Sequence, residues 1–268
     1  MYNFMKEKYP DEWWKSEPPI KKINKDFPLK IKTKLQHPGS VYALKFSNDG
    51  SMFATVSTLG TIRIWDTETM KMLKELRDEN EKNIEEFYVC EWVPNDTKII
   101  VAGKLQNRLK WSKEDEDNAI LPCPIKVFDV LEKEKVKVCP GHQEEVLCLK
   151  IAKFKKKYYM LSSSQDGYIL KWNMDEQFNL LKHKRINDLT TNIAISISFL
   201  PGCGNKYFLC SGDHSVKIYD FETEEVIFFF FYFISFYFFE IKSFCNHLMI
   251  FILAIVTRFF SSILKESF

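Results

Sequence analysis

Proline and glycine are missing from the C-terminal end of this 268-residue chain: no Pro follows Pro201 and no Gly follows Gly212. Turns between short strands need those residues or Asn-Asp clusters, so this end cannot continue a turn-rich pattern set before it. The seven cysteines (90, 123, 139, 148, 203, 210 and 245) contain no C-x-x-C pair and have no His at ligand spacing. Reduced thiols in an intracellular protein, nuclear or cytoplasmic, are the expectation, with Cys90, Cys148 and Cys210 on apolar strands as core. Strong net charge is lacking too: 38 Lys and Arg against 36 Asp and Glu leave +2. No global field draws nucleic acid, and direct nucleic-acid binding is not expected. The N-terminus, Met1-Tyr-Asn-Phe-Met-Lys-Glu-Lys8, has no apolar run of the secretory kind. His37, His142, His183, His214 and His247 form no zinc pattern, and no Ser has a nucleophile-elbow context. Gly202-Cys-Gly204 reads as a turn and Glu114-Asp-Glu-Asp117 as a solvated acidic loop. The expectation is therefore no catalytic residue, no cofactor and no metal.

What the chain does have is repetition. An aromatic residue followed by Asp or Asn closes a β-patterned segment four times, at Trp65-Asp66, Phe128-Asp129, Trp172-Asn173 and Tyr219-Asp220. The spacings are 63, 44 and 47 residues, and the first is lengthened by a charged excursion from Lys104 to Pro124. Within each unit, short β-rich runs are punctuated by turn chemistry such as Asn48-Asp49-Gly50 and Asp166-Gly167, the pattern of consecutive antiparallel strands. All-β architecture follows.

These units resemble the WD40 family, whose blades repeat about every 40–45 residues. The third is the most similar: Gly141-His142 opens it, Ser162-Ser-Ser-Gln-Asp166-Gly167 turns it, and Trp172-Asn173 ends it. The resemblance implies a buried, structural hydrogen-bond set of His142, Ser164, Asp166 and Trp172. The other units depart from the pattern. Unit one keeps His37, Ser57 and Trp65 but has Leu59 in the Asp place; unit two lacks both His and Asp; unit four has Tyr219 for Trp. The fold class implied is an incomplete WD40-type β-propeller of about four blades, followed by an aromatic hydrophobic tail. The repeats are placed at 37–76, 86–138, 142–184 and 193–227, within a domain spanning 29–227. Leu29 to Leu35 alternates apolar residues or Thr with Lys and is expected to be a clasp strand for a closing blade.

Both ends leave alternatives open. Residues 1–28, with Trp13-Trp14 and Pro18-Pro19, read as an irregular lead or a docking segment. Residues 228–268 form a Phe-rich tail; from 221 onward the chain holds fourteen of its 24 Phe. Its uncharged runs, 226–239 and 243–257, are shorter than the ~20 residues of a membrane helix. A membrane anchor, an aromatic core segment and translated non-coding sequence are the competing readings. Membrane contact, if any, would come through this tail alone.

Function then rests on surfaces. The implied role is a non-catalytic scaffold binding other proteins or peptides, as a subunit of a larger complex. The first strands align on Phe46, Trp92, Ile151 and Phe199, and four positions earlier stand Tyr42, Tyr88, Leu147 and Ile195. The candidate partner-binding residues at this rim are Ser40, Tyr42, Tyr88 and Glu145. Aromatics there serve packing in WD40 repeats generally. Glu86-Phe-Tyr88-Val-Cys-Glu-Trp92 is also similar to the matching strand of the Polycomb EED family of trimethyl-lysine readers, which implies a partial aromatic cage at Tyr42 and Tyr88. A chromatin-associated methyl-lysine reader and a membrane-anchored adaptor are thus the two alternatives.

Overall fold

A computed structural model of the protein describes residues 33–81, 83–112, 117–132, 135–186, 193–200, 202–212 and 215–231. The chain divides into two compact units, residues 1–36 and 37–268. Of the first, Thr33–Gln36 are described, and they are not in a strand. The clasp strand expected over 29–35 is therefore not formed in the part that can be seen, and its first four residues lie outside the described residues. So do the lead at 1–28 and the tail from 232 onward.

The second unit is built of β-strands. The first sheet is β1 (Val41–Phe46), β2 (Met52–Ser57), β3 (Ile62–Asp66) and β4 (Met72–Leu76). The second begins with β5 (Glu85–Trp92) and β6 (Lys98–Leu105). It is interrupted by a hairpin of β7 (Leu109–Ser112) and β8 (Asp117–Ile120), then resumes with β9 (Cys123–Asp129) and β10 (Val136–His142). The third comprises β11 (Val146–Phe154), β12 (Lys157–Ser164), β13 (Ile169–Met174) and β14 (Leu180–Ile186). The fourth comprises β15 (Ala194–Phe199), β16 (Tyr207–Gly212), β17 (Ser215–Asp220) and β18 (Val226–Phe231). Each sheet is a four-stranded antiparallel meander, and the charged excursion of unit two contains the separate β7–β8 hairpin, its two ends belonging to β6 and β9. No helix among the described residues is long and apolar enough to cross a membrane.

The register aligns the four units. Phe46 pairs with Phe53 and Phe53 with Trp65; the same ladder position is held by Trp92, Ile99 and Phe128, by Ile151, Met160 and Trp172, and by Phe199, Phe208 and Tyr219. β18 extends past the expected boundary at Ile227, because Phe228–Phe231 continue the ladder against Ile218–Ser215.

Apolar side chains fill the space between consecutive sheets. Ile64 and Val56 of the first sheet pack with Trp92 and Phe128 of the second. Ile125 and Val127 meet Leu149 and Trp172, and Leu161 and Ile169 meet Phe208 and Tyr219. Turns at the far ends tie neighbours as well: the Asp96 carboxylate accepts hydrogen bonds from the Asn48 amide and side chain. The first sheet differs on its outer side. Leu44 is 52% exposed, whereas its register equivalents Cys90, Leu149 and Ile197 are buried.

Candidate functional site

In the third sheet one directed chain of hydrogen bonds runs through the interior. The Trp172 indole N–H donates to Ser162 Oγ at 2.9 Å, and Ser162 Oγ lies 2.8 Å from His142 Nε2. His142 Nδ1 is 3.0 Å from Asp166 Oδ2, which also accepts from the Gln143 amide at 3.0 Å. A carboxylate can only accept, so Nδ1 carries a proton, and in the neutral ring Nε2 then accepts from the serine. Burial works against ionisation of Asp166, but His142 and the amides of Tyr168 and Gln143 outweigh it and hold its carboxyl below the usual range. Because His142 ends β10 of the second sheet, the chain couples adjacent sheets. Gly141 permits this approach: a Cβ there would lie 2.8 Å from Leu170 Cδ1 and 2.9 Å from the Trp172 ring.

The serine in this chain corrects the expected set. Ser162, not Ser164, bridges Trp172 and His142. Both belong to β12 two residues apart, so alternation puts them on one face and does not separate them. Ser164 lies at the strand end, where its hydroxyl donates to the Glu144 carbonyl at 3.0 Å and accepts from the Asp166 amide at 3.2 Å. The first sheet shows the same arrangement cut short. Trp65 Nε1 donates to Thr55 Oγ1 at 2.9 Å, and Thr55, not Ser57, is the register equivalent of Ser162. Leu59 stands in place of Asp166, and the ring nitrogens of His37 are buried without a hydrogen-bond partner. Burial and the nearby Arg63 charge lower the His37 pKa.

A second buried cluster had no signature in the sequence. Lys126 on β9 is 1% exposed, and its ammonium lies 2.6 Å from Asp78, 2.7 Å from Glu85 and 3.2 Å from Glu81. The three carboxylates come from the segment joining the first two sheets and the start of β5, so only the fold brings them to the lysine. One ammonium cannot balance three carboxylates, of which Asp78 and Glu85 are buried and Glu81 is partly exposed. Burial, opposed by Lys126, pushes the Glu85 carboxyl up to about 7. Although burial disfavours its charge, hydrogen bonds from Lys126 to Asp78 and Glu85 raise the lysine pKa. Among the described residues no group of three or more His, Cys, Asp and Glu is arranged to hold a metal ion.

The rim residues occupy a shared geometric feature. Each first strand carries one β-bulge, and the unpaired residues are Tyr42, Tyr88, Leu147 and Ile195. A bulge re-aims its side chain and sharpens the local twist. At the second sheet it needs Gly103, where a Cβ would lie 1.8 Å from the Glu86 carbonyl oxygen. The Tyr42 and Tyr88 rings meet edge to face, with centroids 4.9 Å apart. Tyr42 is half exposed. The Tyr88 hydroxyl donates to Glu86 Oε2 at 3.0 Å.

A residue missed in the sequence completes the group. The ammonium of Lys104, on β6, lies 3.6 Å from Glu86, 3.5 Å from Glu145 and 5.7 Å from the centre of the Tyr88 ring. Burial, above all, pushes the Tyr88 hydroxyl up to about 12, and the Tyr88 hydroxyl in turn holds Lys104 above the usual lysine value. Glu145 thus joins the tyrosines through Lys104, while the Ser40 backbone pairs with Thr58. Beside them Arg108, just before the inserted hairpin, binds the Glu144 side chain and the Gln143 carbonyl.

The family model for the WD domain, G-beta repeat, matches residues 29–66 and 133–173. WD repeat-containing protein 1 of Gallus gallus is 27% identical over 176 residues, covering 55% of this chain and 29% of its own length. Among solved structures, U3-55K superposes with a TM-score of 0.54 at 13% identity, over 74% of this chain and 53% of its own. The Cps50 (Swd1) β-propeller domain of Myceliophteria thermophila gives 0.57 at 14% identity, over 76% and 59%. The chain spans less than two thirds of each of these three.

Proposed function

Since the chain belongs to the WD40-repeat family and carries its blades, whose propellers generally act as non-catalytic interaction scaffolds, we propose that it is such a scaffold, an intracellular subunit of a larger complex. The face bearing the four bulges is its contact surface. The observation that supports this most directly is the meeting of Tyr42 and Tyr88, from different blades, at 4.9 Å. Blades hold such side chains rigidly, so a partner loop or peptide docks without first ordering them. Ser40, Tyr42, Tyr88 and Glu145 contribute the contacts, and no cofactor takes part.

The test is co-purification of the tagged full chain with its partners. Tyr42→Ala with Ser40→Arg is compared with Asn95→Ala, on the opposite turns. Loss of the same partners only with the first pair, at unchanged melting temperature, is the expected result. Equal retention by both sinks the assignment of this face. The tyrosine pair also favours a second reading, recognition of methylated lysine. Cation–π attraction would contribute about 0.5–2 kcal/mol per ring, and Tyr42→Ala and Tyr88→Ala would each abolish binding of a trimethylated peptide.

A further inference from the structure

Lys104 stands outside the repeated plan of the blades. The first-to-second strand ladders reach Ser57, Ser164 and Gly212 in the first, third and fourth blades. In the second blade the ladder continues past the equivalent Gly103, pairing Glu86 with Lys104 and Glu85 with Leu105. That extension leads into the inserted hairpin, and it delivers an ammonium to a place that other blades fill with Thr58 or Gln165. There Glu86 and Glu145 each hold it within 3.6 Å, beside the Tyr88 ring.

Two carboxylates, a tyrosine hydroxyl and an aromatic face make a site for a cation that has N–H donors to give. Lys104 is such a cation, and it is partly exposed, as are Glu86 and Glu145. Ion pairs that keep solvent access contribute modestly to stability, and these three side chains are 19–30% exposed, so releasing this lysine costs the fold a modest amount. With Lys104 counted, the group carries one net negative charge; without it, two. Resting on the scaffold reading above, we propose that Lys104 is an intramolecular occupant of a lysine-binding site formed by Tyr88, Glu86 and Glu145, and that an unmethylated lysine of a partner segment binds there by exchanging with it. A trimethylated lysine has no N–H with which to satisfy the two carboxylates, so it exchanges poorly. The proposal therefore separates this site from a quaternary-ammonium cage.

The probes are two peptides, acetyl-Gly-Ser-Lys-Gly-Ser-amide and its trimethyl-lysine counterpart, titrated into the full chain and followed by ligand-detected NMR. The expected result is weak binding of the unmodified peptide, tightened at least fivefold by Lys104→Met and weakened as much by Glu145→Gln. The trimethyl peptide gains less than twofold from Lys104→Met. Absence of binding in all proteins, an unchanged or weaker affinity in Lys104→Met, or preference for the trimethyl peptide overturns the proposal. Circular dichroism confirms that each variant is folded, and Lys104→Gln repeats the test with a second neutral side chain. Partners lost with Tyr42→Ala but indifferent to Lys104→Met and Glu145→Gln would leave the scaffold reading standing and remove this one.

Discussion

Replacing Ser162 by alanine tests the interior of the third blade most sharply. The Ser162 hydroxyl touches two buried ring nitrogens, Trp172 Nε1 at 2.9 Å and His142 Nε2 at 2.8 Å. Its removal leaves both without that partner, and each orphaned buried polar group costs about 1–3 kcal/mol. A total of roughly 2–5 kcal/mol is expected, since relaxation offsets part of the sum. Ser164→Ala removes one hydrogen bond to a carbonyl and one from a turn amide. It should cost about 0.5–1.5 kcal/mol, because Ser164 is buried but its partners Glu144 and Asp166 are only partly so. For a domain near this size about 1 kcal/mol moves the melting temperature by ~2–4 °C. The two variants should therefore differ by several degrees in thermal scans and in urea midpoint. If Ser164→Ala destabilises as much as Ser162→Ala, the bridging role given to Ser162 is wrong.

Further outcomes follow from other residues. Gly141→Ala forces a methyl against Trp172 and Leu170 and should cost about 1–3 kcal/mol by urea denaturation; an unaffected midpoint would contradict the close approach. Leu149→Ala should cost about 2–5 kcal/mol, whereas Leu44→Ala at the equivalent register place should cost much less, because Leu44 already faces solvent. Glu85 has a raised pKa, so the folded state holds a proton there that the unfolded state has released. Stability should fall as pH rises from the ordinary value of 4.5 to about 7, and Glu85→Gln should flatten that window in denaturation midpoints. Asp166 is lowered, so its contribution is present above the ordinary carboxylate range and lost as pH falls through the folded value; Asp166→Asn should remove that acid-side loss.

The sequence carried the strands more clearly than the contacts between them. Asn48-Asp49-Gly50 and Asp166-Gly167 mark turns by local chemistry, and the aromatic-Asp pairs mark the third strands, so the units and their phasing were legible. Ser162 and Ser164 could not be told apart because both lie on one face of β12. Lys126 and its carboxylates are 41 to 48 residues apart, and nothing local announces their meeting. The four-residue offset located Tyr42, Tyr88, Leu147 and Ile195, but not that each is the unpaired residue of a bulge. Lys104 was read only as the start of an insertion, when it belongs to an extended ladder that ends one residue later, at Leu105. The alternation from Leu29 to Leu35 is a strand pattern of which only Thr33–Leu35 are described, and these three residues are not in a strand.

The bulges also set an orientation. A substitution at an unpaired position leaves the ladder on either side intact, so the fold tolerates different side chains there. In this chain the four positions read Tyr, Tyr, Leu, Ile from first blade to last. An elongated ligand lying across them therefore meets an aromatic, carboxylate-flanked half and then an aliphatic half. Such a surface has a polarity, and a bound segment placed in the reverse direction would set its charge against leucine and isoleucine.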